Sequence, residues 1–508
     1  MSIVSPPDAK HPLILALDLG TSSARAVVYD VEGRLVEGIE GRVGYQMDVT
    51  QDGGVEIDAD ELVDILGRVL DEALAEASGL IPHFESALTG VACCTFWHSL
   101  IGVGADGRAV TPLYNWSDTR SANDAAALAA DPGRAWLHSR TGALPHASYY
   151  PAKIRWLRRT RPHLIVRVAR WVSIGEYFYE RLFGRALCSL SMASGTGLLN
   201  PNTRGWDSEV LAELEIGPER LSELAEAGET LSGLRREFAE RWPMLKDVPW
   251  VPAIGDGAAS NIGSGCTSTE RVAINVGTSG AMRICWEADS VRIPDGLWCY
   301  LADHRHFVMG GALSNAGDVF AWCRRTLQLE PDKIDAELGS MQPDSHGLTV
   351  LPFFSGERST GWADYARASI VGMSLGTRPL DILRASLEAV AYRFAAIYAL
   401  LRSELPTNTR LIASGGGILG SKVWTQMMAD VIGVPVIAST APEASSRGAA
   451  LLALQALGWI KDFADVPAPL GTAFESRPNF HEAFQRAQKR QRRLYDILIK
   501  PGPGVLTV

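Results

Sequence analysis

LALDLGTSSA at residues 15–24 returns at residues 272–281 as VAINVGTSGA, aligned without a gap and set apart by about half the 508-residue chain. In each copy an apolar, β-rich run leads into Gly-Thr-Ser and then into a second apolar run, Ala26–Tyr29 or Ala281–Cys285. That pattern reads as strand, tight turn, strand. A hairpin repeated at half-length predicts a duplicated chain, each of two similar domains opening on the same unit. Strands alternate with helical patterns through both halves, which predicts α/β layers. Asp58–Ala77 carries apolar residues at helical spacing behind an Asp cap, Leu88–Thr95 reads as a buried strand, and Arg410–Ala413 reads as a strand preceding a helix at Ser421–Ile432. No linker rich in Pro, Gly or Ser separates the halves, so the boundary is placed near Gly265–Glu270, giving domains 1–267 and 268–508.

Composition narrows the class of function. A hydrophobic share of 46% and a charged share of 21% are those of an ordinary globular protein. The net charge of −10 disfavours nonspecific binding to nucleic acid or to an anionic membrane, so small molecules are the expected partners. Seven cysteines without a CxxC pair or regular spacing suggest neither a zinc site nor a disulfide framework, but buried thiols in a reducing compartment. The N-terminal apolar run is interrupted by Asp18 and lacks a basic flank, so a cytoplasmic location is expected. In the C-terminal stretch, Phe484, Ala487, Leu494 and Leu498 share a helical face while Lys489, Arg490, Arg492 and Arg493 lie elsewhere, the pattern of a packed helix with a solvated face.

The chemistry concentrates at the repeated turns. A turn rich in Gly, Thr and Ser presents N–H groups and hydroxyls to phosphate oxygens, and Asp18 at the strand end can hold Mg²⁺ directly or through water. The GK[ST] ending of a Walker A loop is missing. Two such hairpins facing each other across a cleft can clasp a nucleoside triphosphate from both sides. Gly415, Gly417 and Gly420 satisfy GxGxxG, but no acidic residue closes the next strand, so a glycine turn admitting adenine or ribose fits better than a dinucleotide site. AIGDGAASNIGSG, residues 253–265, sets Asp256 between two glycines just before the second hairpin. By itself it also reads as an Asp-Gly turn. In phosphoryl transfer one carboxylate orients the attacking hydroxyl and accepts its proton, and glycines beside it would let the hydroxyl and the phosphates come close. Trp97-His98-Ser99 and Trp116 to Arg120 combine flat aromatic faces with directed donors and acceptors, which suits a polyol as well as it suits half-buried Trp beside salt-bridged charges. His304 and His306 lie at strand spacing with no further His nearby and are read as structural.

Together these residues resemble the FGGY family of carbohydrate kinases, within the actin-like ATPase superfamily of ribonuclease H-like domains. Ala368-Ser-Ile-Val-Gly-Met373 followed by Asp381-Ile-Leu-Arg-Ala-Ser-Leu-Glu388 looks like the family's second signature, and the likeness runs from about Leu13 to Gly458. TFWHSLIGVGADGRAVTPLYNWSDTRS, SIGEYFYERLFG and ASGTGLLN look most like the members that phosphorylate gluconate. The resemblance implies two ribonuclease H-like domains with the active site in the cleft between them, and phosphorylation of a sugar or sugar acid with ATP and Mg²⁺. On matched positions it implies that Asp18 is the metal-associated carboxylate, that Gly20, Thr21 and Ser22 with Gly277, Thr278 and Ser279 hold the phosphates, and that Gly415, Gly416 and Gln426 lie at the adenosine. It further implies that Trp97, His98, Trp116, Asp118 and Arg120 bind the sugar and that Asp256 is the base. A homodimer is compatible with it. Departures bear on the substrate: Trp97 replaces a common Met, Tyr150 breaks the first signature three residues before Lys153, and Arg25 replaces a frequent Lys. D-Gluconate is the first expectation, with Arg120 or Lys153 pairing its carboxylate. A neutral ketose or polyol such as xylulose or glycerol is the alternative, and an inactive sugar or nucleotide sensor is the remaining one.

Overall fold

The computed structural model describes residues 2–500. Its first sheet contains β1 (Ile3–Val4), β2 (Leu13–Leu19), β3 (Ser23–Tyr29), β4 (Leu35–Gly44), β5 (Leu88–Thr95) and β6 (Ile254–Gly255), in the spatial order β1-β4-β3-β2-β5-β6. The second contains β7 (Arg271–Val276), β8 (Gly280–Glu287), β9 (Trp298–Leu301), β10 (His306–Leu313), β11 (Arg410–Ser414), β12 (Val436–Ser439) and β13 (Leu470–Phe474), in the order β9-β10-β8-β7-β11-β12-β13. The sequence repeat is a repeat of topology. β2 pairs antiparallel with β3 and parallel with β5, just as β7 pairs antiparallel with β8 and parallel with β11. The flanking strands match as well, with β4 and β10 antiparallel on one side and β6 and β12 parallel on the other.

β2 and β5 are buried at nearly every position, which is why they read as unbroken apolar runs: central parallel strands are covered on both faces. On one side of this sheet α1 (Ala59–Leu80) packs on β3 and β4, its start fixed by Asp58 accepting from the N–H groups of Asp60 at 2.8 Å and Glu61 at 3.2 Å. On the other face lies α7 (Ala444–Ala456), supplied by the second half and packed on β2 and β5. It crosses α3 (Asp256–Gly263) so closely that a Cβ on Gly448 would stand 1.8 Å from the Ala259 carbonyl oxygen. These two helices form a layer shared by both halves, and one apolar core runs through it from sheet to sheet.

This layer gives AIGDGAASNIGSG a different shape from the glycine turn the sequence suggested. Ile254 and Gly255 end the first sheet, and Asp256 is the first residue of a helix that buries Ala258, Ala259 and Ile262. The C-terminal helix α8 (Pro478–Leu498) buries Phe484 and Ala487 and exposes Lys489, Arg492 and Arg493. His306 is bonded to Asp303 at 2.9 Å and His304 to the Ala225 carbonyl at 3.1 Å, and all seven cysteines are free and buried. No helix among the described residues is long and apolar enough to cross a membrane.

Candidate active site

A cleft of about 450 Å³ opens between the two sheets, and both repeated turns reach it. Gly20, Thr21 and Ser22 line it from the first hairpin, Ser279 and Gly280 from the second, with Asp256 and Trp97 beneath them. Each turn is closed by its own backbone bond, Gly20 N–H to Ser23 O at 2.9 Å and Gly277 N–H to Ser279 O at 3.0 Å. The second turn is further braced from behind, because its carbonyls accept from the N–H groups of Gly317 (3.0 Å, to Gly277) and Asp318 (3.1 Å, to Thr278). Gly415, at φ 93°, lets the next loop close over this hairpin: a Cβ there would lie 2.5 Å from Val276 O. Past it, Gly416 opens the short helix α5 (Gly416–Leu419) with free space around its Cα. Gln426, in α6 (Lys422–Ile432), is engaged elsewhere, its amide donating to Asp430 at 3.1 Å and to Glu475 O at 2.7 Å.

Asp256 and Asp18 are the acidic centre. Gly257 N–H donates to Asp256 Oδ1 at 2.7 Å. Burial pushes the Asp256 carboxyl up to about 6, the Arg283 charge opposes this, and the nearby Asp18 charge adds to it. Asp18, at the end of β2, accepts from the Cys94 thiol at 3.3 Å, and burial raises its pKa against the pull of that bond and of Arg25. Arg25 itself is taken by Glu40 at 3.1 Å and by Glu443. Among the described residues neither Asp18 nor Asp256 is neutralised by an ion pair; Asp256 lines the cleft and Asp18 lies behind the first turn, near enough for its charge to act on Asp256, and carboxylates are the hard oxygen donors that Mg²⁺ takes.

Trp97 explains the glycines around Asp256. Its indole lies along the Gly255–Gly257 backbone, where a Cβ on Gly255 would stand 2.0 Å from the ring and one on Gly257 2.4 Å from it. The expectation that these glycines admit the hydroxyl and the phosphates is therefore revised: they admit Trp97, whose N–H donates to Ser191 O at 3.0 Å. His98 follows at φ 63°, an unfavourable backbone region for a non-glycine residue, and its Nδ1–H donates to Gly195 O. Burial drops its pKa to about 3, so the ring is neutral, with an edge toward Tyr149 at 4.8 Å and Tyr300 at 5.7 Å between ring centres.

Other expected ligands stand behind this wall. Trp116 lines the cleft, but Asp118 and Arg120 do not. Arg120 bonds both Asp118, at 3.1 Å from Nε, and Glu56, and stacks on Trp156 at 4.7 Å. Asp118 also accepts from Val55 N–H at 3.2 Å. The group is a closed ion cluster with its charges spent on each other. Lys153, in α2 (Tyr150–Thr160), is 1% exposed and donates to three carbonyls: Asn115 at 2.7 Å, Ser148 at 2.8 Å and His98 at 3.3 Å. Neither cation is therefore available to a substrate carboxylate.

Two arginines that sequence reasoning passed over do face the cleft. Arg283 on β8 alternates inward with Ser279 and Ala281, and its Nε–H donates to Asn261 Oδ1 at 3.1 Å. A lone Arg inside the apolar run AMRICW, two and four residues after those positions, was the available signal. Arg358 comes from the loop segment SGERST, which carries no periodicity to mark it.

Known proteins share this fold. The model of the FGGY family of carbohydrate kinases, N-terminal domain, matches residues 13–263, and that of the C-terminal domain matches residues 272–457. A gluconokinase of Bacillus subtilis (strain 168) is 27% identical over 500 residues, covering 96% of this chain and 94% of its own. Among solved structures, a ligand-bound xylulose kinase and a gluconate kinase, both from Lactobacillus acidophilus, each superpose with a TM-score of 0.89 at 26% identity, covering 96% of this chain and 98% of theirs.

Proposed function

The chain belongs to the FGGY family of carbohydrate kinases and is an ATP-dependent sugar kinase, and from that premise we propose that its acceptor is D-gluconate, phosphorylated at the 6-hydroxyl. The observation that carries the reading is Asp256, an unpaired carboxylate in the cleft where both hairpins converge. In this reading the hydroxyls and N–H groups of Thr21, Ser22, Thr278 and Ser279 hold the phosphates of ATP, with Gly415 and Gly416 beside the adenosine. Asp256 accepts the proton of the attacking hydroxyl, and its elevated pKa suits a base that must both ionise near neutrality and hold a proton. Arg283, beside it, offsets charge that develops on the transferred group. Asp18 would hold Mg²⁺, directly or through water, and the ion would supply further positive charge at the phosphates. Trp97, His98 and Trp116 form the acceptor wall. Water is excluded as the halves close, so the sugar hydroxyl receives the phosphoryl group.

Gluconate is favoured over a neutral sugar by the Bacillus subtilis relative and by two arginines in the cleft. The xylulose reading keeps a claim through the Lactobacillus acidophilus xylulose kinase, whose likeness is as strong as that of the gluconate kinase. Measuring sugar-dependent ADP release over sugars, sugar acids and polyols separates the two. Gluconate is expected to give the highest kcat/KM. Turnover of xylulose with gluconate inert would reject the acceptor, and the absence of any sugar-dependent ADP release would favour a sensor. Asp18→Asn is expected to raise the Mg²⁺ concentration for half-maximal rate by about 10-fold or more, since one charged oxygen donor is lost. An unchanged Mg²⁺ dependence would remove Asp18 from the metal site.

A further inference from the structure

We infer that Arg358 is the receptor for the carboxylate of a sugar-acid acceptor, an inference that rests on the kinase reading and names the group that selects its substrate. Its guanidinium lies against the cleft face of Trp116, 5.3 Å from the ring centre, so the second half reaches across to the acceptor wall of the first. Among the described residues it makes one hydrogen bond, Nη2–H to Leu313 O at 2.9 Å, while its buried Nε–H has no acceptor. No carboxylate lies within ion-pair distance of it among the described residues. Its neighbour Glu357 is held by Arg393 and by Tyr495 at 2.6 Å, and Asp364 is held by His146 at 3.2 Å. A guanidinium in this position loses hydration without gaining a counterion. A carboxylate approaching from the cleft supplies the missing countercharge.

The other cations of the region are excluded by their own bonds. Arg120 is shared by Asp118 and Glu56, and Lys153 is used up on three carbonyls. Arg283 sits beside Asp256, at the reacting end. Arg358 instead meets the acceptor wall at Trp116 and shares the cleft with Trp97, His98 and Tyr149, whose successive ring centres lie 6.3 and 4.8 Å apart. In an open-chain aldonate the carboxylate and the terminal hydroxyl are at opposite ends, so one acceptor can meet Arg358 with the first and Asp256 with the second, both residues lining the cleft.

The test uses the purified chain with D-gluconate, its neutral isostere D-gluconamide, and xylulose. The wild type should prefer gluconate to gluconamide. Arg358→Gln should lower kcat/KM for gluconate by about 100-fold, chiefly through KM, because the lost contact is to a carboxylate that takes no part in the transfer. Turnover of gluconamide and the KM for ATP should stay within about threefold, which also shows that the variant is folded. Arg358→Lys should recover part of the gluconate rate, since it keeps the charge without the planar fork. It serves as the second variant if Arg358→Gln loses all turnover. A wild type that prefers gluconate while both variants keep that preference overturns the role of Arg358 and leaves the gluconate reading standing. Equal losses on gluconate and gluconamide, or a raised KM for ATP, assign Arg358 to the phosphates and overturn the inference. A wild type that prefers another sugar acid, lost in Arg358→Gln, refutes gluconate and supports Arg358. A wild type that turns over only neutral acceptors refutes both.

Discussion

Asp256→Asn is expected to lower kcat by about 1000-fold, in the middle of the range for removing a positioned general base. Nucleotide binding should survive, because the hairpin turns are closed by their own backbone bonds and take nothing from Asp256. The same carboxyl sets the pH dependence. Burial holds it at about 6, so the wild-type kcat/KM should fall tenfold per pH unit below about pH 6, and that limb should vanish in the variant. Stability should move the opposite way. A carboxyl whose folded pKa lies above its ordinary value favours the folded state below about pH 4 and loses that contribution as pH rises through about 6, so above pH 6 the folded protein carries an ionised group at a cost of up to about 3 kcal/mol. Asp256→Asn removes the ionisation, and denaturant melts should find it at least as stable as wild type at pH 8, with the difference shrinking toward pH 5. A variant with near-normal turnover refutes the base. A variant that is inactive and also unstable at pH 8 would mean that Asp256 holds the fold.

What the sequence disclosed and what it hid follow from the range of the forces involved. The repeated LALDLGTSSA and VAINVGTSGA predicted the matched hairpins because strand period and turn chemistry are local. The two sheets repeat the same parallel and antiparallel order around them. Asp58 and Ser421 marked helix starts for the same local reason, each side chain capping the turn that follows it. The glycines beside Asp256 were misjudged because their cause, Trp97, is about 160 positions away in the chain and meets them only when β5 and β6 pair. Asp118 and Arg120 stood in a motif rich in polar groups, yet Glu56 and Trp156 close over Arg120 from separate segments. Arg358 was hidden by its loop: no period of two or 3.6 residues marks which way such a side chain faces.

Lys153→Met is expected to cost about 3–5 kcal/mol of stability and to raise the KM for the sugar by about 10-fold, with the KM for ATP unchanged. The ammonium is buried, and each of its donors meets a carbonyl: Asn115 O, Ser148 O and His98 O. Removing it leaves those oxygens without their partner, at about 1–3 kcal/mol each and less than the sum together, because the segments can relax. All three carbonyls belong to the acceptor wall, one residue before Trp116, one before Tyr149, and at His98 itself. His98 is the most exposed to the loss, since its backbone sits at φ 63° and reverts toward a commoner region once the bond to its carbonyl is gone. The effect on the acceptor should therefore be indifferent to its charge, with gluconate and gluconamide losing affinity alike. That indifference separates Lys153 from Arg358: a variant that kept full stability and lost only gluconate would make Lys153 the carboxylate partner, and the three-carbonyl tie would be dispensable.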